Sequence, residues 1–164
     1  MANIAGRIGL GAALAAIALV GVARSASAAD ASGHSALALG AIVGGYSTTL
    51  PAIQKLALAG FLDGKTVPSK GKITVTADAV VCRAGDVDIA SFGCDLTFGS
   101  KKVTLSGRRA NELFATLTEA GVPGDGAAGT IYEAVHALSC MIDPAAIAQN
   151  DGSGAKCSFQ SGPA

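Results

Sequence analysis

The sequence predicts a small α+β domain: a four- or five-stranded antiparallel sheet, covered on one face by two or three helices and fastened by two disulfides. Three observations predict it. Apolar and polar residues alternate over residues 73–78, 94–98 and 103–106, the period of a strand with one wet face. Other segments repeat their apolar residues at helical spacing. The four cysteines, Cys82, Cys94, Cys140 and Cys157, all follow a segment that reads as an export signal.

That segment is the N-terminus. Arg7 precedes an uncharged apolar run from Ile8 to Ala23, and Ala26-Ser27-Ala28 supplies the small residues of a cleavage site. The order of charge, apolar run and small residues is that of a secretory signal peptide. The run is about 16 residues long, below the roughly 20 needed to cross a bilayer. Residues 1–28 are therefore expected to be removed, with the mature chain beginning at Ala29 and the protein residing in the periplasm or outside the cell. Residues 29–46 form an apolar arm, and 47–164 a single stapled domain.

Without Arg7 and Arg24 the chain carries 10 basic and 12 acidic side chains, a net charge of −2. Nucleic-acid binding ordinarily demands a basic footprint, so that partner is not expected. Nor is residence in the membrane after cleavage. Tryptophan is absent and aromatics make up 4% of the chain, too few for a broad stacking surface.

The elements follow in order. "ASGHSALALGAIVGG", residues 31–45, is small, apolar and without clean periodicity, either a loose arm or a short packed helix. In "STTLPAIQKLALAGFLDG", Ser47, Thr48 or Thr49 can cap a helix and Pro51 suits its first turn. Leu50, Ile53, Ala57 and Phe61 give its stripe, and Gly64 ends it. Residues 64–72 are a turn-rich connector. "KITVTADAVVC", "CDLTF" and "VTLS" read as three strands of a meander, the last two joined by "GSKK". "SGRRANELFATLTEAG" is helical, with Ser106 as cap, Ala110, Leu113, Phe114 and Leu117 as its stripe, and Gly121 with Pro123 as its stop. "DGAAGTIYEAVHALSC" is read as a further helix, capped by Asp125, with Ile131, Val135 and Leu138 on one side. "CMI" and "KCSF" are short strands flanking an irregular "DPAAIAQNDGSGA".

In an oxidising compartment an even cysteine count reads as disulfides. Zinc sites and redox pairs usually show CxxC or HxxxH spacings, and neither occurs. "VVCRAGDVDIASFGCDLTF" and "LSCMIDPAAIAQNDGSGAKCSF" share one plan of Cys, loop, Gly and Cys. The echo favours local pairing, Cys82 with Cys94 and Cys140 with Cys157, out of three possible connectivities.

Few residues suggest chemistry. "GDGAAG", Gly124–Gly129, spells GxGxxG, but it follows a helix and has no βαβ unit around it, so it reads as a connector between helices. Glu133 and His136 at i, i+3 on a helix can share a metal, yet they fall opposite the apolar stripe and read as a solvated face. His34 lies in the arm. Asp86, Asp88 and Asp95 lack the spacing of an EF-hand and read as solvated loop carboxylates. No catalytic residue, metal ligand or cofactor is assigned.

The least ordinary feature is basic. Lys101 and Lys102 occupy the strand turn, while Arg108 and Arg109 open the following helix, where positive charge opposes the helix dipole by roughly 0.3–1 kcal/mol each. Glu112, a neighbouring carboxylate or an anionic partner are the candidates to offset that cost. The two pairs lie roughly 15–20 Å apart along an extended strand, which suits a broad contact better than a pocket.

The plan of paired helices over cysteine-stapled strands is similar in architecture to small secreted bacterial inhibitors of the β-lactamase-inhibitor type, a likeness that carries no functional residue. The expected function is a bacterial binding or interaction protein that recognises a protein or envelope component, inhibitor-like in plan. The alternatives are a small periplasmic hydrolase or metal-dependent enzyme, and a structural or stress protein of the envelope.

Overall fold

Strand pairing dominates the computed structural model, which describes residues 27–62, 71–85, 91–127, 130–143 and 152–162. The elements are β1 (Ser27–Ser32), α1 (Gly33–Tyr46), α2 (Ala52–Leu62), β2 (Ile73–Ala84), β3 (Gly93–Phe98), β4 (Lys101–Ser106), α3 (Arg108–Glu119), β5 (Asp125–Ala127), β6 (Thr130–Ile142) and β7 (Lys156–Ser161). The seven strands make one antiparallel sheet in the order β1-β7-β6-β2-β3-β4, with β5 paired to the start of β6. The fold class is α+β as expected, but the sheet exceeds the four or five strands read from the sequence.

The main correction concerns residues 125–140, which form β5 and β6 rather than a helix. Asp125 is no cap; it pairs with Tyr132 across the β5–β6 hairpin. β6 matches β2 over eleven Cα partners, from Ala84↔Ile131 to Ile73↔Ile142. Its sequence misleads because its alternation changes phase. Glu133 and Val135 point into the core before a bulge, and Leu138, Cys140 and Ile142 do so after it. At the bulge Ala137 has a φ of 50°, and the register against β7 slips between His136 and Ser139. One inserted residue turns a spacing of two into a spacing of three, so Val135 and Leu138 mimic a helical stripe. β2 changes phase alongside it, burying Ile73, Val75 and Ala77 and then Val80, Cys82 and Ala84.

Of the two readings of residues 31–45, the helix is the one formed. Ala36, Leu37, Leu39, Ala41, Ile42 and Val43 of α1 are all buried. A helix buried nearly all round has no polar face to set a period, which is why its sequence shows none. α1 lies close to the sheet because Gly40 and Gly44 have no Cβ. A methyl on Gly40 would meet the side chains of Ile142 and Cys140, and one on Gly44 those of Leu58 and Val75. Before α1, residues 27–32 pair with β7. Cleavage between Ala28 and Ala29 would trim that strand and leave Ala29–Ser32 paired with Phe159–Lys156.

Ser47 ends α1 and shapes the turn into α2: its amide donates to the Gly44 carbonyl, and its Oγ accepts from the Thr49 amide. α2 begins just after Pro51 and packs on α1 through Ala57 and Leu58. The expected stripe is wrong at Ile53, which is 76% exposed, as is Leu56 at 67%. α3 carries its stripe as read. Ala110, Leu113 and Leu117 are fully buried, and Phe114 meets Phe92 edge to face at 5.5 Å. Its N-cap is Gly107 rather than Ser106, which belongs to β4, and no side chain caps it.

α1 and α3 pack on the same face of the sheet, α1 against β7, β6 and β2 and α3 against β2, β3 and β4. Between them lies the core, including the fully buried Leu39, Leu58, Leu96, Leu113, Leu117, Leu138 and Ile142. Each such side chain contributes roughly 1.5–3 kcal/mol of burial. No described helix covers the opposite face, where Thr74, Thr76, Lys102, Thr104, Lys156, Ser158 and Gln160 meet solvent.

Both disulfides form in the local pairing. Cys82 bonds Cys94, and Cys140 bonds Cys157, each between directly opposed residues of neighbouring strands. All four sulfurs lie on the helix-covered side and are buried. The bonds fasten β3 and β7 to either side of the β2–β6 pair, whose own ladder is the longest in the sheet. Among the described residues, no helix is long and apolar enough to cross a membrane. Residues 1–26, and with them most of the expected signal, fall outside the described residues.

Candidate contact surface at the β4 edge

A tight hairpin sets the position of the basic residues. Phe98 pairs with Lys101 around Gly99 and Ser100, and Gly99 takes a φ of 61° that L side chains rarely adopt. The Gly99 amide donates to the Asp78 carboxylate of β2, which anchors the turn to the next strand. β4 then runs along the end of the sheet, with β3 as its single strand neighbour among the described residues. Alternation sends Lys102 and Thr104 to the uncovered face, whereas Leu105 turns towards the helices and is buried.

Asp95 of β3 is the hub of the uncovered face here. It accepts a hydrogen bond from Thr104 Oγ1 at 2.7 Å, and ion pairs join it to Lys102 at 3.0 Å and Arg83 at 3.7 Å. Gly93, opposite Arg83, leaves room for the guanidinium: a Cβ there would collide with it. The Thr104 hydrogen bond, with Lys102 and Arg83, holds the Asp95 carboxyl below its ordinary value despite partial burial.

At the other end of β4, Arg109 and Arg108 flank Glu112 at 2.9 and 3.7 Å. Glu112 is thus the offset for positive charge in the first turn of α3. The four residues expected to form one contact surface lie at the two ends of β4, each end with its own carboxylate. Among the described residues, Arg83, Lys101, Lys102, Arg108 and Arg109 stand against Asp78, Asp95 and Glu112, a surplus of two positive charges. Exposed pairs of this kind contribute about 0–1 kcal/mol each, so they add little to stability.

Glu133 and His136 are not neighbours on a wet helix face. An i, i+3 spacing on a strand puts them on opposite faces, so they cannot share one ligand. His136 sits half-buried on the uncovered side, opposite Ala79 and Gln160. Glu133 is buried at 2% exposure, opposite Cys82 and under the end of α3. Its Oε1 lies 2.7 Å from Thr118 Oγ1, while Oε2 has no hydrogen-bond partner among the described residues. Thr118 Oγ1 also lies 3.1 Å from the Phe114 carbonyl, and a hydroxyl has only one proton to give. The Thr118 hydroxyl therefore donates to Glu133 Oε1 or to the Phe114 carbonyl, one at a time. Burial pushes the Glu133 carboxyl above its ordinary value, against the opposing hydrogen bond donated by Thr118. The sequence offered no signal for this buried acid, because the helical reading placed it in solvent.

The remaining candidates are quickly placed. His34 is exposed in the first turn of α1. Asp86 and Asp88 lie outside the described residues. "GDGAAG" leads from α3 into the β5–β6 hairpin, so it does not join two helices, and its Ala128 and Gly129 are outside the described residues. Among the described residues, no three His, Cys, Asp or Glu side chains converge on a metal position. Comparison with protein-family models, with curated proteins and with solved structures finds no match for the chain.

Proposed function

We propose that the protein is an exported, non-catalytic binding protein that engages a protein or envelope component through the basic end of its sheet. The observation that carries this reading is the surplus of positive charge, among the described residues, along an exposed edge strand, on a sheet whose neighbouring face no described helix covers. The buried Cys82–Cys94 disulfide supports it, since it fastens β3, the strand that carries β4, to β2 and so reduces the ordering needed on binding. Support for export comes from the N-terminal sequence pattern and the bonded state of all four cysteines. The separation of Glu133 from His136 weighs against an acid–base pair at that position. The test is capture from envelope extract by the wild type and by a Lys101/Lys102/Arg108/Arg109→Ala variant of equal stability. The wild type is expected to retain a partner at low salt that the variant loses. Equal capture by both would remove the basic surface from the account. Turnover of any substrate abolished by His136→Ala would replace binding with catalysis.

A further inference from the structure

The β4 edge has a definite hydrogen-bonding phase, and it can be read from one bond. The Gly107 amide donates to the Phe92 carbonyl at 3.1 Å, in register with the β3–β4 ladder. Hydrogen-bonded pairs alternate with non-bonded pairs in an antiparallel ladder. Hence Leu105, Val103 and Lys101 turn their backbone groups towards β3, while Lys102, Thr104 and Ser106 turn theirs outward. The other side of β3 agrees. With Cys94 bonded towards β4, Cys94 and Cys82 must be a non-bonded pair, and their Cα separation of 4.0 Å is on the short side, as such pairs are.

We propose that β4 accepts an extended acidic segment of a partner protein as an added strand, a proposal that rests on the binder reading above. The outward amides and carbonyls of Lys102, Thr104 and Ser106 supply the main-chain ladder. The basic pairs at the two ends of β4 select for carboxylates in the incoming strand. Lysines on an edge usually block pairing with neutral strands. Here they also block pairing with a second copy. An antiparallel β4–β4 contact would bring Lys101 and Lys102 towards the Arg108 and Arg109 of the other molecule, and a parallel one would set Lys102 beside Lys102. An acidic strand meets neither obstacle: a residue opposite Lys102 lies about 4.5–5.5 Å away between Cβ atoms, within reach of an ion pair.

The test uses the disulfide-bonded protein as purified from the producing cell and a synthetic heptapeptide alternating Glu with Thr and Val, blocked at both ends. Residue-resolved amide exchange is read with and without peptide. The amides of Lys102, Thr104 and Ser106 should slow by about tenfold or more on saturation, with little change in Val103 and Leu105. A peptide with Gln in place of Glu should bind about tenfold more weakly. A peptide N-methylated on alternate residues of its bonding edge should lose the protection. Binding without protection of those three amides, or no binding at millimolar peptide, overturns the proposal. So does their protection by self-association at rising protein concentration without peptide. Thr104→Pro removes one outward amide while leaving the cations in place. If that variant keeps the envelope partner that the four-alanine variant loses, strand addition fails and the binder reading stands.

Discussion

Gly40 and Gly45 share α1 but answer to opposite forces. Gly40 faces Ile142 and the Cys140 Cβ, so a methyl there must displace packed atoms, whereas nothing lies within contact of one on Gly45. Gly40→Ala is expected to destabilise by about 1–3 kcal/mol through overpacking. Gly45→Ala should stabilise by up to about 1 kcal/mol through helix propensity. Paired denaturant titrations check both, and equal effects would mean that α1 does not lie against β6 as described. Glu133 gives the second residue-scale prediction. Its folded-state carboxyl titrates above the ordinary value of 4.5, so the neutral form is the one the folded site favours. The associated stability is full below the unfolded value and declines as pH rises through the raised folded value. Glu133→Gln stays neutral, so it should match the wild type near pH 3–4 and exceed it by roughly 1 kcal/mol at pH 7. A difference independent of pH would contradict a buried neutral acid. Asp95, held low, works in the other direction: its contribution is present above its unfolded value and lost as pH falls through the folded one.

Among the elements, legibility in the sequence follows from how each one meets solvent. α3, β3 and β4 are half-buried, and their alternations were readable because one side of each is wet. α1 is buried nearly all round, so its residues carry no period, and the close contacts at Gly40 and Gly44 leave no mark in spacing. β6 was misread for a different reason. The bulge at Ala137 shifts its phase, and a single inserted residue turns a strand pattern into an apparent helical one. The disulfide pairing was legible because each loop closes locally, between residues that end up directly opposed. At this scale peptide mapping of the native protein should link Cys82 to Cys94 and Cys140 to Cys157, with no free thiol. Replacing either pair with alanine should cost about 2–4 kcal/mol. Recovery of a Cys82–Cys140 or Cys82–Cys157 peptide from native material would refute this pairing.

For the whole molecule, the proposed address bears on the covalent frame. Disulfides form and persist most readily in oxidising compartments, and the expected cleavage after Ala28 would fall within β1, where four residues would remain to pair with β7. Mature protein from the producing cell should therefore begin at Ala29 or within a residue or two of it; N-terminal sequencing that finds Met1 would end the export reading. The candidate surface was legible in part. Spacing already placed Lys101 and Lys102 at one end of a strand, Arg108 and Arg109 at the other, and Glu112 within reach, but the edge position of that strand and the pairing of Lys102 with Asp95 depend on three-dimensional pairing that spacing does not encode. The central claim is recognition by those charges, and the measurement closest to it is the salt dependence of association with the captured partner. Wild-type on-rate should fall by about tenfold or more between low and moderate salt, and the four-alanine variant should start slow and vary little. An on-rate that is the same in both proteins and indifferent to salt would contradict the account.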